Sequence, residues 1–328
     1  MKALVIPSCR ERCLREFLEA WDGIADWDEI IVIEDGPIGS FDLPATISHY
    51  SWQEIESELG ADSWIISRRD SAIRCFGFLM AYRRGADLIV TLDDDCHPHQ
   101  GAPICAGHLR AMESHAHWTE SILGMRTRGL PYHNRGRLDV RVNMGLWAGV
   151  PDLDALQESV IDFVPPVGSR VIPACQYVPV CAMNLSFRRE AVPLFYFPLM
   201  GEGQPYRRFD DIWAGVIAKK VMDHLGWPMS VGEPAVFHVR ASDPVQNRIK
   251  EMPGIARNET FWQEIDGIEL TAGDPAGCMR EMGEQLGRSG SDDYMQRLGM
   301  ALQVWASLFE ATVPATTAPE PFNLGGRL

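Results

Sequence analysis

The chain has no apolar run of the ~18 residues that a bilayer-spanning helix needs, so no membrane span is expected. It also lacks any C-x-x-C pair, and its 8 cysteines sit at irregular spacings. That pattern argues against zinc ribbons and against a secreted disulfide framework. The Cys9-x-x-x-Cys13 pair reads as two packed helix thiols rather than a redox or metal site. There is no internal repeat. Basic residues are in deficit: Lys plus Arg number 30 against 45 Asp plus Glu, a formal net charge of −15 over 328 residues. Such a surface repels nucleic acid and anionic membrane, which excludes both as main partners. It repels an anionic nucleotide as well, so a nucleotide ligand needs a local device, either a metal or an arginine cluster. The opening Met1–Pro7 is too short for a signal peptide and reads as a strand. A cytoplasmic location is the expectation.

What is present is an alternation of short apolar runs with helical patterns. Ala3–Ile6, Glu29–Ile33, Ser63–Ile66 and Ala86–Leu92 read as strands, with helices over Arg12–Trp21 and Asp70–Arg84. Strand–helix alternation argues for a parallel, doubly wound α/β sheet, and such sheets bind ligands beyond the carboxyl ends of their strands. Pro7, Asp35 and Asp93–Asp95 fall on three of those ends. Further on, Tyr177–Arg188 and Ala235–Val239 read as strands and Asp210–Leu225 as a helix stopped by Gly226 and Pro228. Helical stretches follow residue 255, and the Pro-, Thr- and Gly-rich tail after residue 312 is expected to be mobile. The expected division is a nucleotide-sugar domain over 1–250, a helical extension over 251–312 and a flexible tail over 313–328.

Three adjacent carboxylates at Asp93, Asp94 and Asp95 repel one another unless a cation offsets the charge. Hard divalent ions take one or two carboxylates plus phosphate oxygens, which favours Mn²⁺ or Mg²⁺ over a solvated acidic turn. Strand alternation would point Asp93 and Asp95 one way and Asp94 the other. Asp35 could accept a base N–H while Gly36 allows close approach, or Asp35-Gly36 could be a plain turn. His238 could offer an imidazole nitrogen to the metal, or be structural. Asp210 and Asp211 open a helix, where an acid also serves as a cap. Arginines 126, 128 and 135 concentrate forks that match phosphate, or pair with surface acids. Trp147 and Trp213 read as core residues rather than sugar platforms.

Several stretches taken together resemble the reversibly glycosylated polypeptide family, the UDP-arabinopyranose mutases best known from plants. They include Ile33-Glu34-Asp35-Gly36, Asp70-Ser71-Ala72-Ile73-Arg74-Cys75-Phe76-Gly77-Phe78 and Leu92-Asp93-Asp94-Asp95-Cys96. Arg128-Gly129-Leu130-Pro131-Tyr132, Gly145-Leu146-Trp147 and Val150-Pro151-Asp152-Leu153-Asp154-Ala155 come next. Pro179–Phe187, Leu199–Pro205, Phe209–Gly215 and His238–Pro244 complete a set that runs in order from about residue 3 to residue 265.

The resemblance implies a GT-A-like doubly wound mixed sheet with flanking helices and a C-terminal helical extension. It implies Mn²⁺ (or Mg²⁺) held by Asp93, Asp95 and His238, with a UDP-sugar substrate contacted by Pro7, Asp35, Gly36, Arg74, Asp93 and Asp94. Arg128 falls on the arginine that becomes reversibly glycosylated, Arg135 on a second required arginine, and Asp210 and Asp211 on the acidic pair facing the sugar. The implied activity is interconversion of UDP-arabinopyranose and UDP-arabinofuranose, and a homo-oligomer is compatible with it. The chain departs from the family pattern at Arg135-Gly136-Arg137, where Arg-Glu-Gly is usual, at Met144, where histidine is usual, and over Asp139–Asn143. These changes lie beside the sugar end, so two rivals stay open. One is a glycosyltransferase whose acceptor pocket the altered segment shapes. The other is a non-catalytic partner subunit, against which the intact Asp triplet and Asp210-Asp211 pair argue.

Overall fold

The computed structural model describes residues 1–119, 121–122, 125–126, 128–150, 152–153, 165–239 and 242–310. Its strands are β1 (Lys2–Ser8), β2 (Glu29–Glu34), β3 (Ser48–Tyr50), β4 (Leu88–Leu92), β5 (Cys96–Pro98), β6 (Ser121–Ile122), β7 (Met125–Arg126), β8 (Val142–Gly149), β9 (Ser169–Val171), β10 (Asn184–Arg188) and β11 (Met229–His238). The helices are α1 (Glu11–Trp21), α2 (Trp52–Leu59), α3 (Arg74–Arg83), α4 (Ile104–Glu113), α5 (Asp210–His224), α6 (Pro244–Asp266), α7 (Pro275–Ser289) and α8 (Asp293–Glu310). The main sheet runs β3-β2-β1-β4-β10-β8-β11-β5, with β9 paired to β11. Strands β1, β2, β3 and β4 are parallel, while β10 runs antiparallel to both β4 and β8. The result is the mixed α/β sheet with flanking helices that the family pattern implies. No helix among the described residues is long and apolar enough to cross a membrane.

The parallel half forms because its strands are buried on both faces: residues 3–6, 31–33 and 88–90 are apolar and almost wholly inaccessible. Helix α3 lies tight against this half. A Cβ on Gly77 would come within 2.4 Å of Val5 Cγ1, so a larger residue would push helix and sheet apart. Trp213 is a core residue as expected, stacked on Phe261 with ring centroids 4.3 Å apart. All eight cysteines are free thiols, in keeping with the absence of a disulfide framework.

Four local expectations are corrected. The Ser63–Ile66 run is not a strand but the end of a 3-10 turn, Gly60–Ile65, which buries Ile65 without a pairing partner. The helix expected from Asp70 starts at Arg74, after the 3-10 turn Ser71–Ile73, with the Asp70 carboxylate accepting the Ala72 amide. Pro179 lacks a ladder N–H, and the strand expected from Tyr177 begins only at Asn184. In the other direction, β11 is ten residues long, because a register shift between Val231 and Ala235 absorbs Gly232 and Pro234. The tail after residue 312 lies outside the described residues, and so does most of the Val150–Pro173 connection.

Candidate functional site

The carboxyl ends of β1, β2, β4 and β11 open onto a single cavity of about 1320 Å³, closed on the far side by the start of α5 and by α6. Pro7, Asp35, Arg74, Asp93, Asp94, Asp95, Asp210, Asp211 and His238 all line it. Gly36, Arg128 and Arg135 do not. Arg128 is exposed on the connection between β7 and β8, and Arg135 Nε donates to the Pro131 carbonyl at 2.9 Å.

At one end stands Asp35. Its Oδ1 accepts from Trp52 Nε1 at 2.8 Å and from the Arg69 amide at 3.0 Å, and its Oδ2 accepts from the Asp70 amide at 3.0 Å. Burial pushes the carboxyl above its ordinary range despite those bonds. Asp35 is therefore more than a turn residue: it fastens the 68–70 loop to the end of β2. Gly201 closes that loop from the other side, with φ at 82° and Arg68 O only 2.2 Å from where a Cβ would stand.

The Asp triplet occupies the middle. β4 stops at Leu92, so strand alternation does not reach the acids, and the chain turns to present all three to the cavity. This corrects the expectation that Asp94 points away from its neighbours. Asp94 is buried, accepting from Ser8 Oγ at 2.5 Å and pairing with Arg10. Burial raises its carboxyl, with the Arg10 and Ser8 bonds offsetting only part of the effect. Asp93 receives Arg74 Nη2, and although burial works against its charge, that guanidinium holds it below the usual carboxylate range. Arg74 is fully buried and also donates to the Ser71 and Ala182 carbonyls and to Thr91 Oγ1. It acts as a positioning residue for Asp93.

Asp95 Oδ1 lies 3.8 Å from His238 Nε2. His238 Nδ1 sits 2.9 Å from the Val150 carbonyl, an atom that only accepts. Nδ1 therefore carries a proton, and in the neutral ring Nε2 turns its lone pair toward Asp95. Imidazole ligands of metals are oriented in this way. Asp95 and His238 face each other across a gap that suits a shared cation, with Asp93 lining the same cavity but not within 4.8 Å of both. The donor set of carboxylate oxygens and one imidazole fits Mn²⁺ and tolerates Mg²⁺.

At the third part, α5 begins at Asp210 with Phe209 in the cap position and no side-chain cap bond, so neither acid is the cap. Asp210 Oδ2 accepts from Ser71 Oγ at 2.8 Å, and Asp211 Oδ2 accepts from the Ala182 amide at 2.9 Å. Ligand atoms of Asp152, Cys181 and Asp211 lie within 4.8 Å of one another. Burial raises Asp211 well above its ordinary range, and the charges of Asp210 and Asp152 add to the shift. Ser8 stands with Pro7 at a strand end, as the sequence suggests, but Asp152, Cys181, Arg10 and Arg208 have no role that the sequence points to. Asp152 and Cys181 lay inside recognised stretches, whereas Arg10 and Arg208 carried no motif. Trp147 also lines the cavity, and its buried Nε1 has no partner among the described residues, so it is not a plain core residue.

A carboxyl whose folded pKa is raised binds its proton more tightly in the folded state than in the unfolded one. Its favourable contribution is therefore present at low pH and fades as pH rises from the ordinary carboxylate range through the raised value. Ionised Asp211 thus costs stability at neutral pH in metal-free protein. Asp211→Asn keeps an acceptor for the Ala182 amide and removes the charge. We expect its melting temperature at pH 7 to rise by roughly 2 °C or more, with the gain shrinking at pH 4. A lower melting temperature at pH 7 would show that the ionised form is stabilising.

Comparison with known proteins adds the following. The profile of the family described as "Reversibly glycosylated polypeptide" matches residues 3–117 and 124–314. "UDP-arabinopyranose mutase 1" of Arabidopsis thaliana is 32% identical, covering 96% of this chain and 94% of its own. "UDP-arabinopyranose mutase 1" of Oryza sativa subsp. japonica is 31% identical over 97% and 92%. "Probable UDP-arabinopyranose mutase 1" of Pisum sativum is 34% identical over 80% and 74%. Among solved structures, a mycobacterial protein aligns at TM-score 0.43 and 16% identity, covering 80% of this chain and 75% of that one. That likeness is too remote to carry any argument.

Proposed function

We propose, since the chain belongs to the reversibly glycosylated polypeptide family, that it is a Mn²⁺-dependent UDP-sugar mutase. It interconverts UDP-arabinopyranose and UDP-arabinofuranose and is itself reversibly glycosylated. The observation that carries the reading is the cavity itself, where the facing pair of Asp95 and His238, with Asp93 on the same wall, adjoins the acidic floor of Asp210 and Asp211.

Each part of the cavity then has a task. Asp35, whose oxygens retain unused lone pairs, accepts the N–H of the base. A cation held by Asp93, Asp95 and His238 would supply Lewis acidity to the departing diphosphate. Asp210 faces the anomeric carbon and offsets the positive charge that develops as its bond to UDP breaks. A C1–N bond to Arg128 then forms, and the guanidinium gives up its proton to a carboxylate. The sugar ring opens, recloses through a different hydroxyl, and returns to UDP. Arg128 lies outside the cavity lining, so this step requires the β7–β8 connection to bring it inward.

The rival reading is transfer of the sugar to a small-molecule or peptide acceptor, and Met144 favours it. Its thioether accepts from the Cys181 amide at 3.2 Å on the cavity wall, an apolar group where the family pattern has histidine. The deciding experiment is to incubate the protein with UDP-arabinopyranose and Mn²⁺, then to separate the free nucleotide sugars and weigh the intact protein. The mutase reading expects UDP-arabinofuranose together with protein heavier by one pentose. Consumption of donor only when an acceptor is added, with no ring exchange, would replace it with the transferase.

A further inference from the structure

Four arginines line the cavity, and three of them are committed elsewhere. Arg74 uses four of its five N–H donors on Ser71, Thr91, Ala182 and Asp93. Arg10 lies between Asp94 and Asp95. Arg69 pairs with Glu202 at 2.9 Å at the Asp35 end and lies over the Trp52 ring.

Arg208 differs from all three. Its Nε donates to Glu251 Oε1 at 2.7 Å, and Glu251 is only 5% exposed. Neither Nη group has a protein partner among the described residues, which leaves the outer edge of the fork available. The backbone at Arg208 is left-handed, with φ at 61°, a conformation that costs a residue bearing a Cβ about 1 kcal/mol or more. Glu251 on α6 fastens the side chain at its root, against that strained backbone. A strained residue with a clamped root and an open end is arranged to present that end to something.

Its surroundings say to what. Asp152 and Asp210 are close enough to act on the Arg208 charge, and both belong to the floor beyond the triplet rather than to the Asp35 end. A diphosphate set among Asp93, Asp95 and His238 would have its sugar directed toward that floor. Glu251, Asp152 and Asp210 already act on the Arg208 charge, which disfavours a further phosphate there. Neutral hydroxyls suit the place better. They accept from the Nη donors and donate to the neighbouring carboxylates, and a planar fork spans two adjacent hydroxyls of a sugar ring.

We propose that Arg208 holds the sugar, its two Nη groups donating to ring hydroxyls of the pentose while Glu251 fixes the guanidinium through Nε. The proposal rests on the UDP-sugar reading above and adds to it a residue that touches the sugar. Calorimetry on the full chain with Mn²⁺, titrating UDP and UDP-arabinopyranose separately, tests it. For Arg208→Lys the affinity for UDP should stay within ~2-fold of wild type, while that for UDP-arabinopyranose falls ~10-fold or more, as for a lost hydrogen bond to a charged group. Glu251→Gln should weaken UDP-arabinopyranose in the same selective way, though less. Equal weakening of both ligands by Arg208→Lys would make Arg208 a diphosphate contact or a strut and overturn the proposal. Undiminished affinity for both would overturn it as well. If the lysine variant does not fold, Arg208→Gln, which keeps an N–H pair without the charge, is read by the same criteria. A wild-type protein that binds UDP-arabinopyranose without exchanging its ring forms would overturn the mutase but leave the Arg208 comparison intact. A wild-type protein that binds neither ligand would overturn both.

Discussion

Replacing Asp95 by alanine should abolish Mn²⁺-supported turnover of a UDP-sugar, by at least ~100-fold, because Lewis-acid stabilisation of a departing diphosphate is worth several kcal/mol and each ~1.4 kcal/mol is tenfold in rate. The argument starts from His238. The Val150 carbonyl fixes a proton on Nδ1, which in the neutral ring leaves Nε2 and Asp95 Oδ1 as two acceptors 3.8 Å apart. Nothing in that pair attracts unless a cation lies between them or the ring is protonated. Removing the Asp95 carboxylate halves the pair while leaving Asp93 on Arg74 and Asp94 on Ser8 and Arg10. The fold should therefore survive, and the metal-free melting temperature should change little. What disappears is the extra thermal stabilisation that UDP gives in the presence of Mn²⁺. Chelation of the wild type should reproduce the loss, and added Mn²⁺ should restore the wild type but not the variant. A variant that binds UDP with wild-type affinity in Mn²⁺ would remove Asp95 from the metal site.

The sequence reveals the half of this site that is built on strand ends. Asp35 and Asp93–Asp95 follow apolar, β-branched runs, and a run that buries both faces leaves only its carboxyl end for polar chemistry. The strong alternation of strands and helices over the first ninety residues made β1, β2 and β4 readable for the same reason. The short edge strand β3 (Ser48–Tyr50) left no apolar run to read. Legibility fails where position depends on distant parts of the chain. Arg10 sits in no motif, yet β1 and β4 run parallel and bring it onto Asp94 across 84 residues of sequence. Arg208 lies in a loop whose left-handed backbone leaves no compositional mark, and its partner Glu251 comes from a helix 43 residues on. Asp152 and Asp211 meet only because α5 packs its first turn beneath the 177–183 segment. β8, antiparallel to β10 and parallel to β11, is hard to read because its polar Asn143 and its two glycines interrupt the apolar pattern. Asn143 proves to be buried, bonded to His108, Ser230 and the Glu233 carbonyl, where a polar residue is fully satisfied.

Arg128→Lys separates the two leading activities, and the position of Arg128 sharpens the test. In a mutase that captures the sugar on Arg128, wild-type protein incubated with UDP-arabinopyranose gains one pentose mass, located at Arg128, and excess UDP removes it. Removal is required because the sugar must return to UDP for exchange to occur. Lysine keeps the positive charge but not the planar set of guanidinium nitrogens, so the variant should lose both adduct and ring exchange. Arg128 is exposed and outside the cavity lining, so the substitution should leave UDP affinity and melting temperature close to wild type. That combination, full binding with no exchange, distinguishes a covalent role from a phosphate contact. In a transferase the guanidinium would serve the donor only by charge; lysine would then preserve most of the activity, and no adduct would form on either protein. Ring exchange that persists in Arg128→Lys would end the covalent role for this residue while sparing the mutase. Attention would then turn to the arginine that already stands inside the cavity beside Asp152 and Asp210, since a guanidinium that must reach the anomeric carbon is better placed at Arg208 than on the outer connection.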